Sequence, residues 1–279
     1  MKSLFFFLSI VAALPVFAQL PVSIKLKKDQ LITVVSSSAM DADMGMGMQM
    51  KNNTSATNQL VVLSEDDKQY LLTNTLTKIS MNMDAMGQQS GYDSEKPEDK
   101  NSEMGKSISN KLQVPDSVFI DKVTGNVITS VVKAAAKSPE EANPLEGMFE
   151  SMGNGNDDQV LANAFFIIPA GKKAGDSWTD SIADKKMKSI KTYTIRSLDK
   201  NVATIAVTGV IDGNSEQEIQ GNTVNIIMNT KMKGELMVDT KTGLVSKRTL
   251  TSDITGNLEM MGQSLPISSQ VNATYTYQY

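Results

Sequence analysis

The chain has 279 residues, 27 basic against 31 acidic side chains and a net charge of −4, with 40% hydrophobic but only 5% aromatic residues. It contains no histidine and no cysteine. That removes the usual neutral-pH general base, the commonest zinc ligand, disulfides and every Ser-His or Cys-His nucleophile pair, while mild acidity with singly scattered Lys and Arg argues against nucleic acid as a partner.

The first segment, MKSLFFFLSIVAALPVFAQ, has a basic Lys2, an apolar run from Leu4 to Val16 and small residues at Val16 and Ala18. This is the pattern of a secretory signal peptide over residues 1–18, too short for a membrane span. Export to the periplasm, the outer-membrane surface or the outside is expected. No cysteine follows the cleavage site to carry a lipid anchor. A chain of this size can bury a core without disulfide staples.

Strand signals dominate from residue 23 onward: SIKLKKDQLITVV, NQLVVL, YLLTNTLTKI, VLANAFFIIP, KTYTIRSL and ATIAVTGVI, with turn chemistry at SEDDK (64–68), LDKN (198–201) and DGN (212–214). Alternation is clearest in VNIIMNTKMKGELMVD, where Val224, Ile226, Met228, Thr230, Met232, Leu236 and Val238 share one parity. The closing SQVNATYTYQY alternates too, with Val271, Ala273, Tyr275, Tyr277 and Tyr279 on one side. Such period-two patterning marks half-buried antiparallel strands. An aromatic-alternating last strand also suits a membrane barrel, but the low aromatic content and long polar stretches oppose that reading.

In DMGMGMQMK, methionine falls on every second residue at Met44, Met46, Met48 and Met50. A strand here would put the thioethers on one face about 7 Å apart, as an apolar lining or as soft ligands for Cu(I). Methionine recurs at inward parity in Met81, Met83, Met228 and Met232. It is the adaptable filler of irregular apolar surfaces, so the oily face is the preferred reading and the eight methionines are the candidate ligand-binding residues. Cu(I) binding by the methionine-rich strand is an alternative.

VFIDKVTGNVITS (118–130) matches LMVDTKTGLVSKR (236–248), aligning Asp121 with Asp239, Thr124 with Thr242 and Gly125 with Gly243. Upstream, VLSEDDKQYLLTNTLTKI parallels IRSLDKNVATIAVTGVI, and KKDQLIT parallels KAGDSWT. The expected fold is therefore mostly β: two repeated antiparallel curved-sheet units, half-barrel-like, over 19–133 and 159–279, joined by a short helical and flexible linker over 134–158. Ser138-Pro139-Glu140-Glu141 reads as the linker's helix start. The charged 92–106 stretch reads as a solvated loop.

Catalytic motifs fail on context. Ser197-Leu-Asp-Lys200 and Lys241-Thr-Gly243 fit S-x-x-K and K-T-G, but the serine opens a turn rather than a helix. Asn154-Gly-Asn156-Asp-Asp158 alternates oxygen ligands without the closing glutamate of a calcium loop. Gly175-Asp176-Ser177-Trp178 reads as a turn with an aromatic plug.

The signal peptide, LKKDQLIT, the Met-Gly stretch, Gly91-Tyr92-Asp93-Ser94-Glu95, Ala174-Gly175-Asp176-Ser177-Trp178 and the Asp239-x-x-Thr-Gly243 hairpin together resemble an uncharacterised exported domain-of-unknown-function family of Bacteroidota-type bacteria. The resemblance implies no activity. More distantly, the hairpins resemble the periplasmic lipoprotein carriers, whose open half-barrel cups acyl chains; this is architectural analogy. The expected function is a non-enzymatic envelope protein without cofactor, binding an apolar ligand, lipid or lipoprotein, in a Met/aliphatic-lined concavity. A structural or partner-binding envelope protein without a cavity is the other alternative.

Overall fold

The computed structural model describes residues 23–45, 47–128, 160–161, 163–184, 186–219, 222–260 and 263–279. The signal segment, the expected linker and the Asn154–Asp158 stretch lie outside them, as does Met46.

The first half forms β1 (Leu31–Asp43), β2 (Gln49–Glu65), β3 (Gln69–Ala85), β4 (Gln88–Asp93), β5 (Pro115–Asp121) and β6 (Val127–Ile128). The second half forms β7 (Ser177–Ala183), β8 (Met187–Asp199), β9 (Val202–Ile219), β10 (Asn222–Asp239), β11 (Val245–Met260) and β12 (Gln263–Gln278). All twelve join one antiparallel sheet in the order β6-β5-β3-β2-β1-β12-β11-β10-β9-β8-β7, with β4 paired to the far part of β3. Thus the halves share one sheet through the β1–β12 ladder, where Val34 faces Tyr277 and Met40 faces Val271. Strands β6 and β7 end the described sheet without pairing to each other, so it is open.

The sheet is nonetheless rolled at one end. Ile24 donates its N–H to Lys122 O (2.7 Å) and Lys25 to Thr242 O (3.0 Å), so neighbouring residues bridge the β5–β6 and β10–β11 turns. These turns belong to strands six places apart in the sheet order. In a flat sheet they would be separated by about 29 Å. Only a curled sheet lets two consecutive residues reach both.

Both turns are built alike. In the first, Asp121 Oδ1 accepts from the backbone of Val123 and Thr124 and from Thr124 Oγ1, at 2.7–2.9 Å. In the second, Asp239 Oδ1 accepts from Lys241 N, Thr242 N and Thr242 Oγ1, at 2.8–3.0 Å. Gly125 and Gly243 come next with φ of +73° and +72°, and a Cβ on either would crowd Phe165 or Ile24. Glycine is required there by backbone hand and by space.

The main core lies at this rolled end. Ile24, Leu161 and Ile168 plug the mouth against inward Ile32, Leu60, Leu72, Ile120, Ile195 and Leu236. Tyrosines stitch the plug down: Tyr70 Oη donates to Ile24 O and accepts from Leu26 N, and Tyr277 Oη donates to Val160 O. Trp178, Phe166 and Tyr193 cluster with centroids 5.0–6.1 Å apart. Ala174 and Gly175 make a turn, closed by Asp176 Oδ2 accepting from Lys173 N, and β7 begins directly after it with Ser177 and delivers Trp178 to this aromatic plug.

Several expected elements differ. VLANAFFIIP is not a strand where it is described: Val160 and Leu161 are helical, Asn163 and Ala164 turn, Phe165 makes one bridge to Leu244, and 166–169 is irregular chain pinned over the turns. DGN (212–214) is not a turn, because β9 runs straight through it between β8 and β10 and both neighbours satisfy its backbone. The charged 92–106 stretch is not a plain loop. Pro97–Asn101 form a 3-10 turn, and Ser102 caps the short helix α1 (Glu103–Ser109) by accepting from Gly105 N.

Ile24 is 1% exposed and touches both turn glycines. Ile24→Ala is expected to cost about 2–5 kcal/mol, read by urea denaturation. Backbone N–H groups at turns hold the Asp66, Asp121 and Asp184 carboxyls below their ordinary value. Their contribution is therefore fully present above the unfolded carboxylate range, about pH 4, and is lost as pH falls through the lower folded values. Thermal melts from pH 7 to 2 should be flat at first and decline only below about pH 4.

Candidate functional site

The inner face changes character along the strands. On β1 the inward positions read Ile32 and Val34, then Ser36 and Ser38, then Met40 and Ala42. On β2 they read Val62 and Leu60, then Asn58 to Asn52, then Met50. The main core ends where the serines begin, and a second, smaller cluster stands beyond them. A polar band separates the two.

The second cluster is Met40, Ala42, Met50 and Ile267, with Met44, Met83, Ala85, Leu258 and Val271 packed on it. It sits at the β1–β2 and β11–β12 hairpin ends. Of the candidate methionines, Met50 (5% exposed), Met44 and Met83 meet there. Met81 faces Thr54 beside it and pairs with buried Tyr92 of β4. Met232 is buried, and Met228 half-buried, on the inward parity of β10.

The methionine row itself is not a strand. β1 ends at Asp43 and β2 starts at Gln49. Between them Met44 N donates to Met48 O (2.9 Å) and Met48 N to Gly45 O (3.0 Å), while Gly45 and Gly47 take φ of +75° and +76°. Asp43 Oδ1 fixes the entry by accepting from Gly45 N. The glycines permit a turn that a period-two reading overlooks. Met44, Met48 and Met50 therefore do not form one row along a strand face, which removes the geometric basis expected for a soft-metal ladder. Among the described residues, no group of three or more His, Cys, Asp or Glu stands placed to hold a metal ion.

The polar band holds residues that sequence reading did not single out. Arg248 lies inward on β11, opposite Tyr275 on β12 and Leu236 on β10, and is only 8% exposed. Its buried Nε has no hydrogen-bond partner. No carboxylate among the described residues forms an ion pair with it. Lys191, inward on β8, pairs across from Asp180 on β7. Burial, and then the charge of Arg248, push the Lys191 ammonium below its ordinary value, with Asp180 opposing. Burial raises Tyr193 and Tyr275, against the pull of Arg248. β8 and β11 are separated by β9 and β10. By register Lys191 stands level with Ser252, four residues along β11 from Arg248, on the same inner face. The sequence signal for Arg248 was a lone charge on the oily parity of a strand.

Two surface depressions lie on the other face. One spans Lys188, Asp212, Asn229 and Thr255; the other spans Ser37, Asn53, Ser80 and Asn272. No helix among the described residues is long and apolar enough to cross a membrane.

Residues 67–245 match the model of a family described as a family of unknown function, DUF6263. The chain belongs to this DUF6263 family. No curated protein matches it. Among solved structures, one titled "Lipid-protein interactions in lipovitellin" aligns with a TM-score of 0.51 at 8% identity, over 91% of this chain and 26% of that one. The DUF6263 chain thus spans about a quarter of that protein's length and shares a sheet architecture with it. A mutant Rh. blastica porin aligns at 8% identity over 88% of this chain and 99% of that one, with a TM-score of only 0.21.

The hairpin geometry makes a sharp distinction between neighbours. Met50→Ala, in the buried cluster, is expected to cost about 2–5 kcal/mol, and Met48→Ala, half-exposed at the turn, well under half of that. Equal losses by denaturant titration would contradict the turn.

Proposed function

We propose that this DUF6263 protein is a non-enzymatic, exported cell-envelope protein that binds an apolar ligand, a lipid or the acyl chains of a lipoprotein, against the methionine-lined end of its inner face. The observation that carries this reading is the second cluster, Met40, Met50 and Ile267 with Met44, Met83 and Leu258, set apart from the main core by a polar band. An apolar cluster unneeded to close the rolled end, and built from adaptable thioethers, suits a ligand of variable shape. The architectural likeness to lipovitellin, whose structure title concerns lipid–protein interactions, lends support by analogy.

We also infer that the two halves are copies of one unit. The matched Asp-x-x-Thr-Gly turns and the parallel orders β6-β5-β3-β2-β1 and β11-β10-β9-β8-β7, with β12 between them, support this.

A second reading, a structural or partner-binding envelope protein, draws on the depressions lying on the outer face rather than the inner one. Native mass spectrometry separates the two. Delipidated full chain incubated with envelope lipid extract should retain lipid-mass adducts through gel filtration, and Met40→Asp with Met50→Asp should reduce their yield at least tenfold. Protein that stays free of lipid after incubation supports the partner-binding reading instead.

A further inference from the structure

The polar band poses a physical problem that the apolar-ligand reading leaves open. A guanidinium cannot shed its charge as an ammonium can, and a buried ion without a partner is among the costliest features a core can hold. Arg248 is 92% buried on the inner face, its Nε makes no hydrogen bond, and no described carboxylate pairs with it. Lys191, partly buried, adds a second positive charge to the same inner face. Among the described residues, the carboxylate across from Lys191 is the exposed Asp180 on the β7 edge. Phenol groups of Tyr193 and Tyr275 flank the pair and remain protonated, so they offer hydrogen bonds but no compensating charge.

We propose that Arg248 and Lys191 form an anion-binding subsite on the inner face, taking a carboxylate or phosphate group. A planar guanidinium with a free N–H group, with an ammonium on the same inner face, fits either anion. Such an anion would accept a hydrogen bond from the unpartnered Nε–H and offset the positive charges of both side chains. The inference rests on the proposed apolar ligand in one respect: it gives that ligand a head. From the Arg248 level, which is that of Ser36, to the Ala42–Met50 level, β1 runs six residues. That is about 20 Å, comparable with an extended long acyl chain. The favoured ligand is therefore an anionic amphiphile, head at Arg248 and Lys191, tail toward Met40, Met50 and Ile267.

The test measures binding of four probes to the full chain: oleate, 1-oleoyl-glycerol phosphate, uncharged oleyl alcohol and inorganic phosphate. Wild type should bind the two anionic amphiphiles at least tenfold more tightly than oleyl alcohol, with the preference shrinking at high salt. Arg248→Gln should abolish the preference, weakening the two anionic amphiphiles at least tenfold more than oleyl alcohol, and Lys191→Gln should reduce the preference several-fold. Circular dichroism checks folding; should Arg248→Gln not fold, Lys191→Gln and Arg248→Lys carry the test. Equal binding of oleate and oleyl alcohol by wild type overturns the subsite and keeps the apolar site. Inorganic phosphate bound in an Arg248-dependent way, with no amphiphile bound, keeps the subsite for a free anion and overturns the apolar site. Binding of no probe overturns both, and an oleate preference that survives in folded Arg248 and Lys191 variants overturns the subsite.

Discussion

Everything in this fold depends on two adjacent backbone N–H groups. Ile24 and Lys25 hold the turns of β5–β6 and β10–β11 together, although a flat sheet would keep those turns far apart. Their bonds stand at one end, so the sheet is rolled there and free to open along its long strands. The rolled end then becomes a closed core because chain segments around Ile24 and Phe165–Ile168 fill it. Glycine at both turns is what lets Ile24 descend between them. An antiparallel sheet is otherwise content to keep one face in water; here the tie converts that face into an interior.

The inner face is not uniformly oily. Apolar residues occupy both ends and Ser36, Ser38, Asn58, Asn74, Arg248 and Lys191 the middle. Buried Asn58 and Asn74 satisfy one another at 3.0 Å. Arg248 lacks that satisfaction, and its burial works against stability. Ser269 Oγ is likewise buried without a partner, but it carries no charge, so the cost falls most heavily on Arg248.

Parity along a strand was readable in β10 and β12, where Ile226, Met232, Leu236, Tyr275 and Tyr277 are buried as their alternation requires. It was less secure in β3. Tyr70, Leu72 and Asn74 face inward at even numbers, yet Met81 and Met83 do so at odd ones. A bulge in the β2–β3 register at Thr57/Asn58 makes the shift, with Thr77 Oγ1 bonding to Thr57 O. The inward placement of Met81 and Met83 is thus correct because of a feature invisible in the pattern. Conversely, the Met44–Met50 row looked more regular than any true strand, and two glycines with positive φ turned it into a hairpin.

By itself the sequence determined that the protein is mostly β, that Asp-x-x-Thr-Gly marks two like turns and which side chains share a strand face, because turn chemistry and period two are local properties of the chain. Only the tertiary structure decided that both halves share one sheet, that β1 meets β12 and that Lys191 and Arg248 share one inner face. Those outcomes depend on pairing and curvature between residues far apart in sequence. No local pattern specifies the partner a strand edge will find, nor how far a sheet bends once a short segment ties its ends.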